Sequence, residues 1–166
     1  MRLLIYGFGP YREFPENITE KILHKLPQRS GLKKIVFPVR FHKGQFISAV
    51  KKHKPDVILG LGQCSRGRRL RIEARAKNRK RTNPKEKIRP IIAGGPQRLG
   101  TNLRLALNGE SSNHAGEYVC NYSMYVMLHF IKRQRLPIRY GFIHIPYQYD
   151  YKRAVRLLDQ AVGKLK

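Results

Sequence analysis

Three side chains set far apart in this sequence can do chemistry together: the thiol of Cys120, the imidazole of His144 and the carboxyl of Glu73. A thiolate is a strong nucleophile, and an imidazole exchanges protons near neutral pH. A carboxylate can hold that imidazole in one orientation and stabilise its cation. These are the parts of a cysteine hydrolase. Cys120 immediately precedes a helical pattern over residues 121–135. The unpaired N–H groups at a helix start create positive potential there. That potential can lower a thiol pKa from about 8.5 to roughly 3.5–7.5, and the same N–H groups can hold an oxyanion. His144 ends an apolar run, and α/β proteins gather their sites at the C-terminal ends of strands. Each residue also has an ordinary reading: a buried small thiol, a satisfied core histidine, and a surface ion pair for Glu73 among its arginines.

The elements that must position these groups follow from apolar periodicity. Leu3–Tyr6 reads as a short buried strand closed by the turn Gly7-Phe8-Gly9-Pro10. Asn17-Ile18-Thr19-Glu20 opens a helix, with Asn17 or Thr19 as its cap. Ile35–Val39 and Val57–Gly62 read as strands, with a helix over Gly44–His53 between them. Arg69–Ala76 alternates, with Leu70, Ile72, Ala74 and Ala76 on one side and Arg71, Glu73 and Arg75 on the other. Residues 83–100 hold Pro and Gly at loop density, and Thr101–Leu107 reads as a short helix. Tyr140–Ile145 is a strand, and Tyr151–Leu165 a closing helix. Strands alternating with helices over 166 residues predict one α/β domain over 1–166, a three-layer α/β/α sandwich on a mostly parallel mixed sheet.

Five segments then resemble, in order, those of the type I pyroglutamyl peptidases (pyrrolidone-carboxylate peptidases). They are Gly7-Phe8-Gly9-Pro10-Tyr11 followed by Asn17-Ile18-Thr19, and Gly62-Gln63 ten residues before Glu73. Next comes Ile72-Glu73 with Ala76 and Asn78, and after it the nucleophile segment Ala115-Gly116-Glu117-Tyr118-Val119-Cys120-Asn121. Gly141-Phe142-Ile143-His144-Ile145-Pro146 closes the set. The resemblance implies a Cys120–His144–Glu73 triad that hydrolyses the amide after an N-terminal pyroglutamyl residue, without a cofactor. It implies that Phe8 and Tyr11 sandwich the lactam ring, with Gln63, Tyr118 and Val119 nearby. Asn17 and Arg81 are candidate supporting residues. In the mechanism implied, His144 takes the Cys120 proton or holds a preformed thiolate–imidazolium pair.

The sequence departs from that family in three places. The family carries an arginine about ten residues after its glutamate, where this chain has Asn83, with Arg79 and Arg81 close by. After Pro146 the chain runs through Tyr147-Gln148-Tyr149-Asp150 straight into its last helix. Typical members make a longer excursion there, with pocket-edge and subunit contacts, so the expected homo-oligomer is open to change. The third departure is charge. Lys and Arg number 35 against 10 acids, a net charge of +25, and 12 of the 24 residues from Arg66 to Arg89 are basic. A solvated basic face and a phosphate-contacting strip for nucleic acid both fit that run. Aromatics are not interleaved with it, which disfavours base stacking. Three functions therefore stay open: the peptidase, a nucleic-acid-binding protein on a drifted scaffold, and a hydrolase of another small acyl or lactam substrate. Cys64 and Cys120 are too few for a disulfide framework, and the spacings of structural zinc sites are absent, so no metal is expected. No run reaches the roughly 18 apolar residues of a membrane span. The expectation is a cytoplasmic protein with free thiols and no membrane partner.

Overall fold

The computed structural model describes residues 1–165. A six-stranded sheet is built from β1 (Leu3–Phe8), β2 (Leu32–Phe37), β3 (Val57–Cys64), β4 (Arg71–Glu73), β7 (Glu110–Ser112) and β8 (Arg139–Pro146). Its spatial order is β2-β1-β3-β8-β4-β7. Every pairing is parallel except that of β4 with β8. β5 (Arg75–Lys77) and β6 (Arg98–Gly100) form a separate antiparallel pair.

Alternation along the strands sends side chains into two cores. Helices α2 (Lys43–His53) and α3 (Val119–Arg133) cover one face, where Tyr6, Tyr140 and Phe142 meet Phe46, Met124 and Tyr125. Helices α1 (Ile18–Lys25) and α4 (Tyr151–Gly163) cover the other, where Leu59, Leu61, Ile143 and Ile145 meet Ile22, Leu23, Ala154 and Leu158. This is the expected three-layer α/β arrangement. β3 and β8 lie at its centre and read as continuous apolar runs because both of their faces are covered. Each fully buried Leu or Ile there contributes about 1.5–3 kcal/mol. On the α3 side a cluster of hydroxyls is buried: Tyr6 Oη lies 2.6 Å from Tyr140 Oη and 3.0 Å from Ser123 Oγ. These hydroxyls satisfy one another, so the strand centre and the helix meet in one registered arrangement.

Several boundaries differ from the sequence reading. α3 begins at Val119, so Cys120 lies inside the first turn rather than ahead of it. The second strand is shifted to Leu32–Phe37. The 69–76 alternation breaks at Ala74, where the chain leaves the main sheet and enters the small one. Glu73 is consequently fully buried at the end of β4 and not on a solvated charged face. The loop over 83–100 ends in β6. Residues 101–107 form no helix. Asn102 and Leu103 donate their N–H groups to Tyr140 O, and Asn102 Oδ1 accepts from Tyr140 N. Leu103 is buried in the α1/α4-side core while Leu105 and Leu107 pack against it. Their spacing of two is that of an extended segment.

Candidate active site

Cys120, His144 and Glu73 arrive from three elements and meet at the C-terminal edge of the sheet. β8 directs His144 to the α3 face, two residues after Phe142, and the two rings lie 5.1 Å apart. In the parallel register His144 stands beside Gly62 of β3. A Cβ at Gly62 would lie 2.8 Å from Cys120 Sγ, so the sulfur rests directly above that glycine. β4 runs antiparallel to β8 with Arg71 opposite His144. Two residues further along the same face, Glu73 Oε1 lies 2.7 Å from His144 Nδ1. The histidine is buried and the carboxyl wholly so. Glu73 therefore occupies Nδ1, and Nε2 is the ring nitrogen left for proton transfer.

The electrostatics follow from burial. Burial raises the pKa of the Glu73 carboxyl, but the hydrogen bond and charge of His144, aided by Ser112 and Arg71, outweigh it and hold the group below the usual range. Glu73 is thus a carboxylate at neutral pH and suits an orienting role. Burial pushes the Cys120 thiol up to about 12, reinforced by Cys64 and Glu73 and opposed by Arg71. Burial thus acts against the lowering expected from the helix start. Among the described residues no hydrogen bond joins Cys120 Sγ to the imidazole. The start of α3 is open for another reason: Tyr118, at the cap position, makes no side-chain hydrogen bond to the first-turn N–H groups. Those donors are free to face a developing negative charge.

A cavity of about 520 Å³ lies over the thiol and the imidazole. Phe8, Tyr11, Asn17, Gln63, Tyr118 and Val119 line it with Cys120 and His144. Tyr11 pairs with Tyr118 at 6.4 Å between ring centroids and with Phe14 at 5.3 Å. Gln63 Oε1 accepts from Ile18 N at 2.8 Å, and its side chain also faces the Tyr11 hydroxyl. Asn17 caps α1 by accepting from Thr19 N and donates to Gly9 O, tying the β1 turn to the helix start. Arg81 lies outside this cavity. Its Nε contacts Glu117 Oε2 at 2.6 Å, and with Arg12 and Tyr118 it borders a smaller neighbouring cavity.

Comparison with known proteins decides the ancestry. A family model described as pyroglutamyl peptidase matches residues 102–155. The pyrrolidone-carboxylate peptidase of Oceanobacillus iheyensis is 34% identical, over 87% of this chain and 83% of its own length. The chain belongs to the pyrrolidone-carboxylate peptidase family. The namesake from Alkaliphilus oremlandii is 27% identical over 99% of this chain and 83% of its own. A mutant pyrrolidone carboxyl peptidase from Pyrococcus furiosus superposes with a TM-score of 0.87 at 25% identity, covering 98% of this chain and 97% of that one. The Thermus thermophilus structure gives 0.83 at 25% identity, covering 98% of this chain and all of that one.

Where this chain departs from the family pattern, local hydrogen bonds shape the result. Asn78 fixes the loop that follows β5: Oδ1 accepts from Ile91 N and Ile92 N, and Nδ2 donates to Ile92 O and Gly95 O. Asn83 turns to Glu86 and does not line the main cavity. The shortened segment after Pro146 is a tight turn in which Tyr147 N donates to Cys64 O, and Asp150 caps α4. Several cations of the 66–89 strip have partners within the protein. Arg69 pairs with Glu110, Arg71 with Glu73, and Arg79 and Arg81 with Glu117, while Lys80 lies over Phe41 and Tyr122.

Three residues around the site have no role assigned by the sequence alone. Gly62 makes room for the sulfur. Asn121, fully buried, accepts from Lys77 N and donates to Lys77 O and Arg79 O, joining α3 to β5. Arg71 reaches the cavity beside His144. Its signal was present in the sequence: it shares Glu73's strand face at a spacing of two, so any fold that turns Glu73 inward turns Arg71 with it.

Proposed function

We propose that this protein hydrolyses the amide bond that follows an N-terminal pyroglutamyl residue, with Cys120 as nucleophile, His144 as proton carrier and Glu73 as the group that orients it. The observation that carries this reading is the buried 2.7 Å contact between Glu73 and His144 Nδ1 on the floor of a cavity that Cys120 also lines. The lactam ring is flat and neutral. Phe8 and Tyr11 offer it an aromatic slot beside Gln63, Tyr118 and Val119.

Cys120 Sγ attacks the pyroglutamyl carbonyl carbon as its proton passes to His144 Nε2, and Glu73 stabilises the resulting imidazolium. The carbonyl oxygen takes the negative charge and faces the first-turn N–H groups of α3. One such donor is typically worth on the order of 10²–10³ in rate. As the C–N bond breaks, His144 gives its proton to the departing amine, leaving a thioester on Cys120. His144 then draws a proton from water as the water oxygen attacks that thioester. Free pyroglutamate leaves, and the sulfur recovers its proton. The relatives lend no support to the nucleic-acid-binding alternative. Release of a fluorogenic amine from its pyroglutamyl amide, measured for wild type and Cys120→Ser, tests the reading. Turnover lost in the variant and on iodoacetamide treatment is expected. Folded, pure protein without turnover would refute it, and turnover of other small lactam or acyl amides alone would move the substrate assignment.

A further inference from the structure

The cavity crosses four neighbouring strands in sheet order. Phe8 lies on β1, Gln63 and Cys64 on β3, His144 on β8 and Arg71 on β4. This inference rests on the hydrolase reading above. If the lactam fills the aromatic slot at the β1 side, the scissile bond lies over Gly62, where Cys120 Sγ rests. The departing amine must then lie towards His144, which protonates it. The peptide beyond that amine runs on towards β4 and the turn after β3, that is, towards Arg71 and Arg66.

The charges along the cavity are one-sided. Arg12, Arg66 and Arg71 line it together with His114, and among the described residues no carboxylate does. Arg12 is already committed at the other end: its guanidinium lies 4.4 Å from the Tyr118 ring centroid and donates to Thr82 O. His114 Nδ1 accepts from Gly116 N, so in the neutral ring its proton is on Nε2, a donor. Arg71 is only loosely paired, with Nε 3.9 Å from Glu73 Oε1. That Nε is buried and has no hydrogen-bond partner among the described residues. A partly buried guanidinium with unspent donors beside a substrate channel is a carboxylate receptor.

We propose that the leaving-peptide side of the site selects a carboxylate, with Arg71 as its specificity-determining residue and Arg66 assisting from the rim. The preferred substrates are pyroglutamyl peptides whose next residue is Asp or Glu, or dipeptides whose free C-terminus lies at that position. A lysine there meets two arginines and is disfavoured.

The test compares kcat/KM for pyroglutamyl-alanine, pyroglutamyl-glutamate amide, pyroglutamyl-alanine amide and pyroglutamyl-lysine amide, with an uncharged fluorogenic pyroglutamyl amide alongside. A charge-assisted contact predicts that at least one carboxylate-bearing substrate exceeds the lysine amide by about tenfold or more, chiefly through KM. The advantage shrinks from low to about 0.5 M salt as screening sets in. A gain confined to pyroglutamyl-alanine assigns the C-terminal carboxylate, and one confined to the glutamate amide assigns the side chain. Arg71→Gln brings the ratio between substrates close to one, and Arg66→Gln reduces it in part. Because the ratio is read within one protein, a general fall in activity of either variant does not disguise the result. If Arg71→Gln fails to fold, the wild-type series with Arg66→Gln decides. Equal kcat/KM across the four peptides, with the fluorogenic amide turned over, overturns the proposal and leaves the hydrolase reading standing. No turnover of any substrate overturns both.

Discussion

Gly62→Ala puts the site's geometry under direct load. A methyl group on Gly62 would sit 2.8 Å from Cys120 Sγ and 2.8 Å from Phe142 Cε1 and Cζ. Ordinary contact between such atoms is about 3.5–4.0 Å, so something must retreat by roughly 1 Å. The Phe142 ring has little freedom, being fully buried with Tyr6 at 6.2 Å on one side and His144 at 5.1 Å on the other. The sulfur therefore moves, or the imidazole is pushed with the ring. Misplacing a reacting atom by about 1 Å can lower a rate about 10²-fold, and overpacking a core of this density typically costs about 1–3 kcal/mol. The expected result is a folded variant whose melting temperature drops by a few degrees and whose kcat on a fluorogenic pyroglutamyl amide falls about 10²-fold. Gly100→Ala is the control: its methyl would meet nothing closer than Ala74 O at 3.9 Å, so both quantities stay near wild type. A kcat for Gly62→Ala within about threefold of wild type would refute the placement of the reacting sulfur over β3.

Other perturbations test separate parts of the site. Glu73→Gln keeps the shape but not the charge beside His144 Nδ1, and kcat should fall on the order of 10²–10⁴-fold while KM changes little; steady-state kinetics on the uncharged amide would show it. Because burial pushes the Cys120 thiol up to about 12, the thiolate fraction is small at neutral pH and grows with pH. Alkylation by iodoacetamide should therefore rise about tenfold per unit between roughly pH 7 and 9. A flat, fast rate near pH 6 would instead reveal a preformed thiolate. Asn121→Ala strips three hydrogen bonds from a buried side chain and leaves the Lys77 N–H and the carbonyls of Lys77 and Arg79 without that partner. Urea denaturation should show about 2–4 kcal/mol lost.

The parts of this molecule that were legible in the sequence are those written in apolar periodicity and in contiguous motifs. β3 and β8 were plain because strands covered on both faces are apolar throughout. Cys120 and His144 were plain because each lies within its own local signature. Glu73 was harder, since it is the one buried member of the charged side of the 69–76 alternation, while Leu70 and Ala76 of the apolar side are buried too. A period of two shows which residues share a face but not which face is wet. The break at Ala74 depends on partners far along the chain, β8 for one half and β6 for the other. Thr101–Leu107 reads as a short helix, yet Thr101 donates to Ala74 O and Asn102 and Leu103 to Tyr140 O, partners that the local sequence does not reveal. The thiol's raised pKa also lay out of reach, because it depends on how much protein encloses the sulfur.

The clasp that Asn121 makes on Lys77 and Arg79 has a mechanical meaning for its neighbours. The Cys120 thiol is one residue before that clasp, and the Glu73 carboxylate is four residues before Lys77 on the same short stretch of chain. Helix start and acid therefore travel as one piece when the protein breathes, and their separation is buffered against thermal motion. The imidazole joins the same frame, because β8 pairs with β4 at Arg71 and Ile72 and His144 Nδ1 lies 2.7 Å from Glu73 Oε1. The three groups are thus bound into one frame rather than hung on separate leaves.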